Sequence, residues 1–127
     1  LIAEISMVRE KLVKLQRNIG SQKNVVMDGR DIGTHVLPNA EIKFFITADI
    51  ELRAKRRYND LIMMDRNIQY LNVLDNLRKR DEIDTNRDIS PLRMSNEAIL
   101  IDTSELSIHD QSQFVFTHID KFRNLED

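Results

Sequence analysis

Three short apolar runs alternate with helical patterns, and this alternation constrains the fold of the 127-residue chain more than any other feature. The runs cover residues 25–28, 42–48 and 98–102. The second is apolar at nearly every position except Lys43, which is typical of a strand covered on both faces in a parallel sheet. Strands separated by helices predict an α/β fold with a parallel sheet.

Apolar residues at helical spacing predict the helices between and around these runs. The first helix covers residues 2–18 and carries Arg9 beside its apolar stripe, where a surface pair with a neighbouring glutamate is the simplest interpretation. Another helix follows Asp49, which occupies an N-cap position. The helical pattern continues over residues 60–88, with an interruption near residues 63–67.

The chain after this long helical region also carries clear boundary signals. Pro91 ends the helix, and the residue before it, Ser90, is expected to adopt extended geometry. Ser107 and Asp110 have the spacing of a capping box, so a last helix is predicted to begin there.

Composition excludes several classes of protein. The net charge is −2, with 19 basic and 21 acidic residues, and this balance predicts neither a nucleic-acid partner nor an acidic membrane partner. Cysteine is absent, which excludes disulfides and fits a reducing compartment. Residues 1–4 lack the features of a signal peptide, and no apolar run approaches the roughly 20 residues of a membrane helix. We therefore expect a cytoplasmic protein.

The first apolar run leads directly into a pair of opposite charges. The segment VVMDGRDIGT, residues 25–34, places Arg30 and Asp31 after the predicted strand, between two glycines. Ligands of open α/β sheets bind at the carboxyl ends of the strands, so these side chains are candidate site residues. A salt-bridged turn without a ligand is the alternative.

A second charged segment lies near the end of the long helical region. Arg80, Asp84 and Arg87 are spaced i, i+4 and i+7 and are expected to share one helix face. An intrahelical ion-pair ladder worth about 0.3–0.5 kcal/mol per pair would explain them without a ligand. Together with Arg30 and Asp31 they favour a nucleoside monophosphate site, because guanidinium groups bind phosphate bidentately and aspartates accept hydrogen bonds from sugar or base. We expect the five side chains to surround one small anion.

These segments also carry a family resemblance. DGRDIGT, IKFFITA, RAKRR, RDEIDTNRDISPL and AILIDTSELSI, in this order and spacing, resemble the bacterial cytidylate kinases. These enzymes transfer a phosphoryl group from ATP to CMP or dCMP. The resemblance implies a P-loop nucleoside monophosphate kinase-like α/β fold, with a three-layer parallel sheet and a helical lid. Residues 1–127 would be the C-terminal part of the kinase core domain, with the lid at about residues 57–80.

The resemblance also implies roles for the acceptor-site residues. Arg9 and Asp31 match residues that face the cytosine, and a carboxylate can accept a hydrogen bond from the cytosine amino group. Arg80 and Asp84 match residues at the sugar. Asp31 would meet a carbonyl oxygen in uracil and be repelled, so it is expected to select the base.

The remaining implied roles concern phosphate. Arg30 and Arg87 match residues near the CMP phosphate and the transferred phosphoryl group, and are the candidate catalytic residues. Arg56 matches an arginine on the ATP side. ATP and Mg²⁺ are the implied cofactors, and removing one phosphate-binding arginine should lower the rate by about 10²–10³.

The sequence departs from the family pattern in several places. It contains no GxxxxGK[ST] phosphate loop, and the first strands and the small CMP-binding insert of the family are also absent. Ile83 stands where some relatives have a basic residue. We therefore expect an incomplete kinase sheet, no activity of this chain alone, and marginal stability with self-association. The intact enzyme is expected to be a monomer.

Two other functions stay open. A related kinase with a different acceptor would keep the phosphate-binding arginines but give Asp31 another role. A non-catalytic fragment would dock through the helices predicted at residues 2–18 and 60–88. The three histidines, at positions 35, 109 and 118, are too scattered to predict a metal site.

Overall fold

The computed structural model describes residues 6–22, 24–64 and 66–126. Within these ranges the chain forms helices α1 (Ser6–Gly20), α2 (Ile50–Met63), α3 (Tyr70–Asn86) and α4 (Ile108–Glu126), and strands β1 (Phe44–Thr47) and β2 (Ile99–Asp102). A π-helical turn covers Ile32–Val36. The mixture of helices and parallel strands confirms the predicted α/β class, while the predicted start of the first helix at residue 2 lies outside the described residues.

The sheet consists of β1 and β2 paired in parallel. Phe44 lies opposite Ile99, and Thr47 lies opposite Asp102. Parallel neighbours require a crossover connection, which α2 and α3 supply. The predicted parallel pairing of these two runs is therefore confirmed, and both strands end at the same edge of the sheet.

The strand predicted at residues 25–28 is not formed. These residues are irregular, and Val26 is fully exposed. No strand among the described residues pairs with the segment, and an extended chain without a ladder partner leaves its N–H and C=O groups to water. The expectation of coverage on both faces is also wrong for the sheet, because Ile46 and Leu100 are 63% and 51% exposed.

The helix boundaries follow the sequence signals with one exception. α2 ends at Met63 and α3 begins at Tyr70, which confirms the predicted interruption. Asp49 occupies the N-cap position of α2, but its side chain makes no capping hydrogen bond. Instead, its backbone N–H donates to Ser104 Oγ at 2.9 Å.

The predicted cap of α4 is present. The Asp110 N–H donates to Ser107 Oγ at 3.1 Å, and the Ser107 hydroxyl donates to Asp110 Oδ2 at 2.6 Å. The two side chains therefore satisfy polar groups at the start of the helix, as the capping-box spacing predicts.

The expected extended geometry of Ser90 is wrong. Its φ is 53°, in the left-handed region that non-glycine residues rarely adopt. Two hydrogen bonds fold the chain back at this point: Leu92 N–H donates to the Asp84 carbonyl at 2.7 Å, and Arg87 Nε donates to the Ser90 carbonyl at 2.6 Å. They outweigh the steric preference of a residue before proline.

The core is small and centres on the crossover helices. Ala54, Leu61, Val73 and Leu74 are buried on α2 and α3, and Ile101 is buried on β2. Several other large apolar side chains remain exposed on α1 and α4. In the part of the chain that the structure describes, no helix is both long and apolar enough to cross a membrane.

Candidate functional site

Asp31 lies between Arg30 and the π-helical turn, and its position is fixed on two sides. Its carbonyl accepts the N–H groups of His35 and Val36 at 2.8 and 3.1 Å. Its carboxylate accepts a hydrogen bond from Arg9 Nη2 at 2.6 Å, and both side chains are largely buried. Arg9 therefore pairs with a residue 22 positions away.

A second arginine of α1 holds the same turn. Arg17 Nε donates to the Val36 carbonyl at 3.1 Å, and Arg17 Nη2 donates to the His35 carbonyl at 2.7 Å. Irregular π-helical turns are frequent at functional sites. No sequence pattern predicts this role of Arg17, because its acceptors are backbone atoms of a distant loop.

Arg30, Asp84 and Arg87 form a second ion-paired group. Arg30 Nε lies 2.9 Å from Asp84 Oδ2, and Arg87 Nη1 lies 3.7 Å from Asp84 Oδ1. The two carboxylate oxygens thus face two different guanidinium groups. Arg87 lies just beyond the end of α3, so the predicted helix carries only Asp84 of this group. The structure brings together three of the five residues that the nucleotide-site hypothesis groups around one anion.

Two residues with predicted roles lie apart from this group. Arg80 is exposed on α3, and among the described residues its side chain makes no hydrogen bond or ion pair. The expected intrahelical ladder is therefore reduced to the pair of Asp84 with Arg87, which lies just beyond α3. Arg56 donates to Thr103 Oγ1 at 3.1 Å and to the Thr103 carbonyl at 2.8 Å, which places it against the carboxyl end of β2.

Some donors of the candidate site are buried without an acceptor. Within the described residues, Arg9 Nε and Arg87 Nη2 have no hydrogen-bond partner, and neither has Ser90 Oγ. A buried donor left unsatisfied costs about 1–3 kcal/mol. An oxygen supplied by a ligand would satisfy such donors, and charged N–H donors favour an anionic ligand.

Two cavities formed by the described residues lie away from these side chains. One, of about 340 Å³, lies near the amino ends of the strands and is lined by Lys43 and Glu97 among others. The other, of about 230 Å³, lies between the sheet and α4 and includes Ile46 and Phe116. Neither cavity is lined by the five charged side chains that were expected to share a cleft. Arg30, Asp84 and Arg87 meet through ion pairs instead.

Two long-range ion pairs outside the candidate site were missed by the sequence analysis. Lys43 is buried and donates to the Pro38 carbonyl and, at 2.5 Å, to Glu97 Oε2. This hydrogen bond, with the attraction of the ammonium charge, lowers the pKa of Glu97. Arg53 pairs with Asp81 across α2 and α3. Partners 54 and 28 residues apart carry no local sequence signal.

Two further pKa shifts come from local surface contacts. The Asp75 carboxylate, which lies 2.7 Å from Lys79 Nζ, raises the pKa of Lys79 by hydrogen bonding and by charge. Hydrogen bonds from the Ser104 hydroxyl and N–H lower the pKa of Asp102. Both pairs are exposed and lie outside the candidate site.

Comparison with known proteins places the chain in a family. A family model described as cytidylate kinase matches residues 1–121. The chain therefore belongs to the cytidylate kinase family.

Individual curated relatives agree with this assignment. The chain is 50% identical over 114 residues to a cytidylate kinase of Caldicellulosiruptor bescii, a match that covers 90% of the chain and 50% of the relative. It is 48% identical over 122 residues to a cytidylate kinase of Fusobacterium nucleatum, covering 96% of the chain and 56% of the relative. A cytidylate kinase of Bacillus subtilis is 44% identical over 114 residues. The chain spans about half the length of the curated relatives it matches.

Proposed function

We propose that the chain supplies the acceptor-nucleotide site of a cytidylate kinase, which transfers a phosphoryl group from ATP to CMP or dCMP. The observation that carries this proposal is the meeting of Arg30 and Arg87 at Asp84. Arg9 Nε and Arg87 Nη2, which have no hydrogen-bond partner among the described residues, give further support, because such donors suit the oxygens of an anion. Family membership adds independent support.

Each residue of the site then has a chemical role. Arg30 and Arg87 bind the acceptor phosphate and neutralise the charge that spreads over the oxygens during in-line transfer. Asp31, held by Arg9, accepts a hydrogen bond from the cytosine amino group. Asp84 contacts the sugar while it keeps both arginines in place.

The remaining roles require movement of side chains. Arg80 would have to turn towards Asp84 to reach the sugar. Arg56 would have to leave Thr103 to contact ATP. Residues 57–80 include the second half of α2, the connection between the helices and the first part of α3. We propose this segment as the lid of a three-layer domain that resembles the P-loop kinases.

The described residues contain no group of three or more metal-ligating His, Cys, Asp or Glu side chains, and the sequence contains no phosphate loop. Mg²⁺ in phosphoryl transfer is held largely by nucleotide phosphates and water. No step of the proposed reaction is therefore assigned to the metal, and we propose that this chain alone does not turn over ATP. The proposed location is the cytoplasm.

Base selection tests the proposal and separates it from a kinase with another acceptor. Calorimetric titration of the chain is expected to show CMP binding about tenfold tighter than UMP binding, within the discrimination of one well-placed base contact. Asp31→Asn should remove most of this preference, because the amide can both donate and accept. Asp28→Asn, an exposed change in the same loop, is the matched control and should preserve it.

If Asp31→Asn keeps the same preference for CMP over UMP as the wild-type chain, the result would contradict the role of Asp31 and favour a different acceptor. Absence of CMP binding, together with stable self-association in gel filtration, would favour the non-catalytic alternative.

A further inference from the structure

One guanidinium group joins three elements outside the candidate site. Arg53, on α2, donates from Nη1 and Nη2 to the two carboxylate oxygens of Asp81 at 3.0 and 2.6 Å. Its Nε donates to the Ala48 carbonyl at 3.0 Å. The Asp81 hydrogen bond, aided by its charge, raises the pKa of Arg53. The end of β1, α2 and α3 are therefore held by one side chain.

Asp81 lies three residues before Asp84 on α3. Residues three apart on a helix are neighbours on its surface, so a rotation of α3 that moved one carboxylate would move the other. Asp84 meets Arg30 at 2.9 Å. The direction in which Asp84 points is consequently linked to the contact between Arg53 and Asp81.

The paired hydrogen bonds between Arg53 and Asp81 restrict rotation of α3. Two parallel hydrogen bonds between a planar guanidinium and a carboxylate fix their relative orientation, which a lysine cannot reproduce. A second pair also bridges α2 and α3, between Arg78 Nη2 and Glu51 Oε1 at 3.3 Å, but both side chains are more than half exposed. A single exposed contact of this kind restrains little.

We propose that Arg53 and Asp81 are positioning residues of the acceptor site: they orient α3 so that Asp84 holds Arg30 towards the nucleotide phosphate. This inference rests on the proposed function, since it assigns the pair a role in CMP binding. Neither residue contacts the nucleotide itself. The pair acts through the helix and through Asp84.

Arg53→Lys tests the inference with two separate readouts. The first is the hydrogen-exchange rate of the Arg30 Nε–H, measured by NMR without nucleotide, which should rise when Asp84 is less well placed. The second is the dissociation constant for CMP, which should increase about three- to tenfold. Arg78→Lys is the matched control, because it alters the exposed bridge between the same helices, and both readouts should stay at their wild-type values.

Asp81→Asn supplies a second variant if Arg53→Lys does not fold. It keeps the shape of the side chain and one acceptor oxygen, so both readouts should change in the same direction but less. A variant of either kind that unfolds more easily while Arg30 exchange and CMP affinity stay unchanged would overturn the positioning role.

The two readouts also separate this inference from the proposed function. If the wild-type chain does not bind CMP, the proposed function fails, and with it the role of the pair in nucleotide binding. Faster Arg30 exchange with unchanged CMP affinity would overturn the inference alone. Faster exchange together with weaker CMP binding is the result expected.

Discussion

The group formed by Arg30, Asp84 and Arg87 and the pair formed by Lys43 and Glu97 use their charges differently. Arg30 is 49% exposed, and Arg87 keeps a buried N–H that has no acceptor among the described residues. Lys43 is only 6% exposed, and its ammonium group is held by Glu97 and by the Pro38 carbonyl. The first region therefore retains donors for a further anion, whereas the second uses its donors to join the segments before β1 and β2.

This difference predicts that the two regions separate nucleotide binding from stability. A change in the first region should mainly weaken CMP binding. A change in the second should mainly lower the thermal stability of the fold, because it breaks hydrogen bonds of Lys43 that join the segments before β1 and β2. Variants of both regions can test the contrast.

The largest effect is expected for Arg30→Met. The substitution removes a charged donor but keeps most of the side-chain volume, and should weaken CMP binding about 10- to 100-fold, as expected for a charged hydrogen bond. Calorimetry measures this change directly. Lys43→Met is the matched control: it should lower the melting temperature and leave the dissociation constant for CMP near the wild-type value.

The opposite pattern would contradict the assignment of the two regions. A Lys43→Met chain that remains folded but does not bind CMP would place the nucleotide near the amino ends of the strands. An unchanged CMP affinity in Arg30→Met would remove Arg30 from the site.

A smaller effect is expected when Glu97→Gln removes the Lys43–Glu97 ion pair, and it should depend on pH. Lys43 lowers the pKa of Glu97 below its ordinary value of 4.5. The charged pair therefore stabilises the fold above that value, and this contribution is lost as the pH falls through the lowered pKa. The melting temperature of Glu97→Gln should lie below that of the wild type at neutral pH and approach it in acid, once the pH lies below the lowered pKa of Glu97.

Glu41→Gln provides the control for this measurement, because Glu41 lines the same cavity but is not the ion-pair partner of Lys43. It should show little difference from the wild type at either pH. A Glu97→Gln difference that is equally large in acid would show that packing, and not the ion pair, is responsible.

The strand predictions were correct for the two apolar runs that pair with each other in the structure. The runs around β1 and β2 and the run at residues 25–28 are similarly apolar, but only the first two meet in a ladder. Hydrophobicity indicates that a segment can form a strand; the partner that satisfies its backbone decides whether it does. This is why the predicted class was correct and the first strand was not.

The candidate site shows a similar division. Spacing placed Asp84 and Arg87 close together, and the structure adds Arg30 to them. Sequence spacing could not show that Arg9 donates a hydrogen bond to Asp31, or that Arg53 donates to Asp81, because these contacts join distant elements. Long flexible side chains are the hardest to place from sequence, as exposed Arg80 illustrates.

The most direct test of the central claim compares CMP with cytidine in calorimetric titrations of the chain. The two ligands share the base and the sugar, so any difference reports on the phosphate. We predict saturable CMP binding at one site per chain and cytidine binding at least about tenfold weaker, because only the phosphate can engage charged donors such as Arg30 and Arg87. Equal affinity for the two ligands, or no binding of either, would contradict the claim that these arginines form a nucleotide phosphate site.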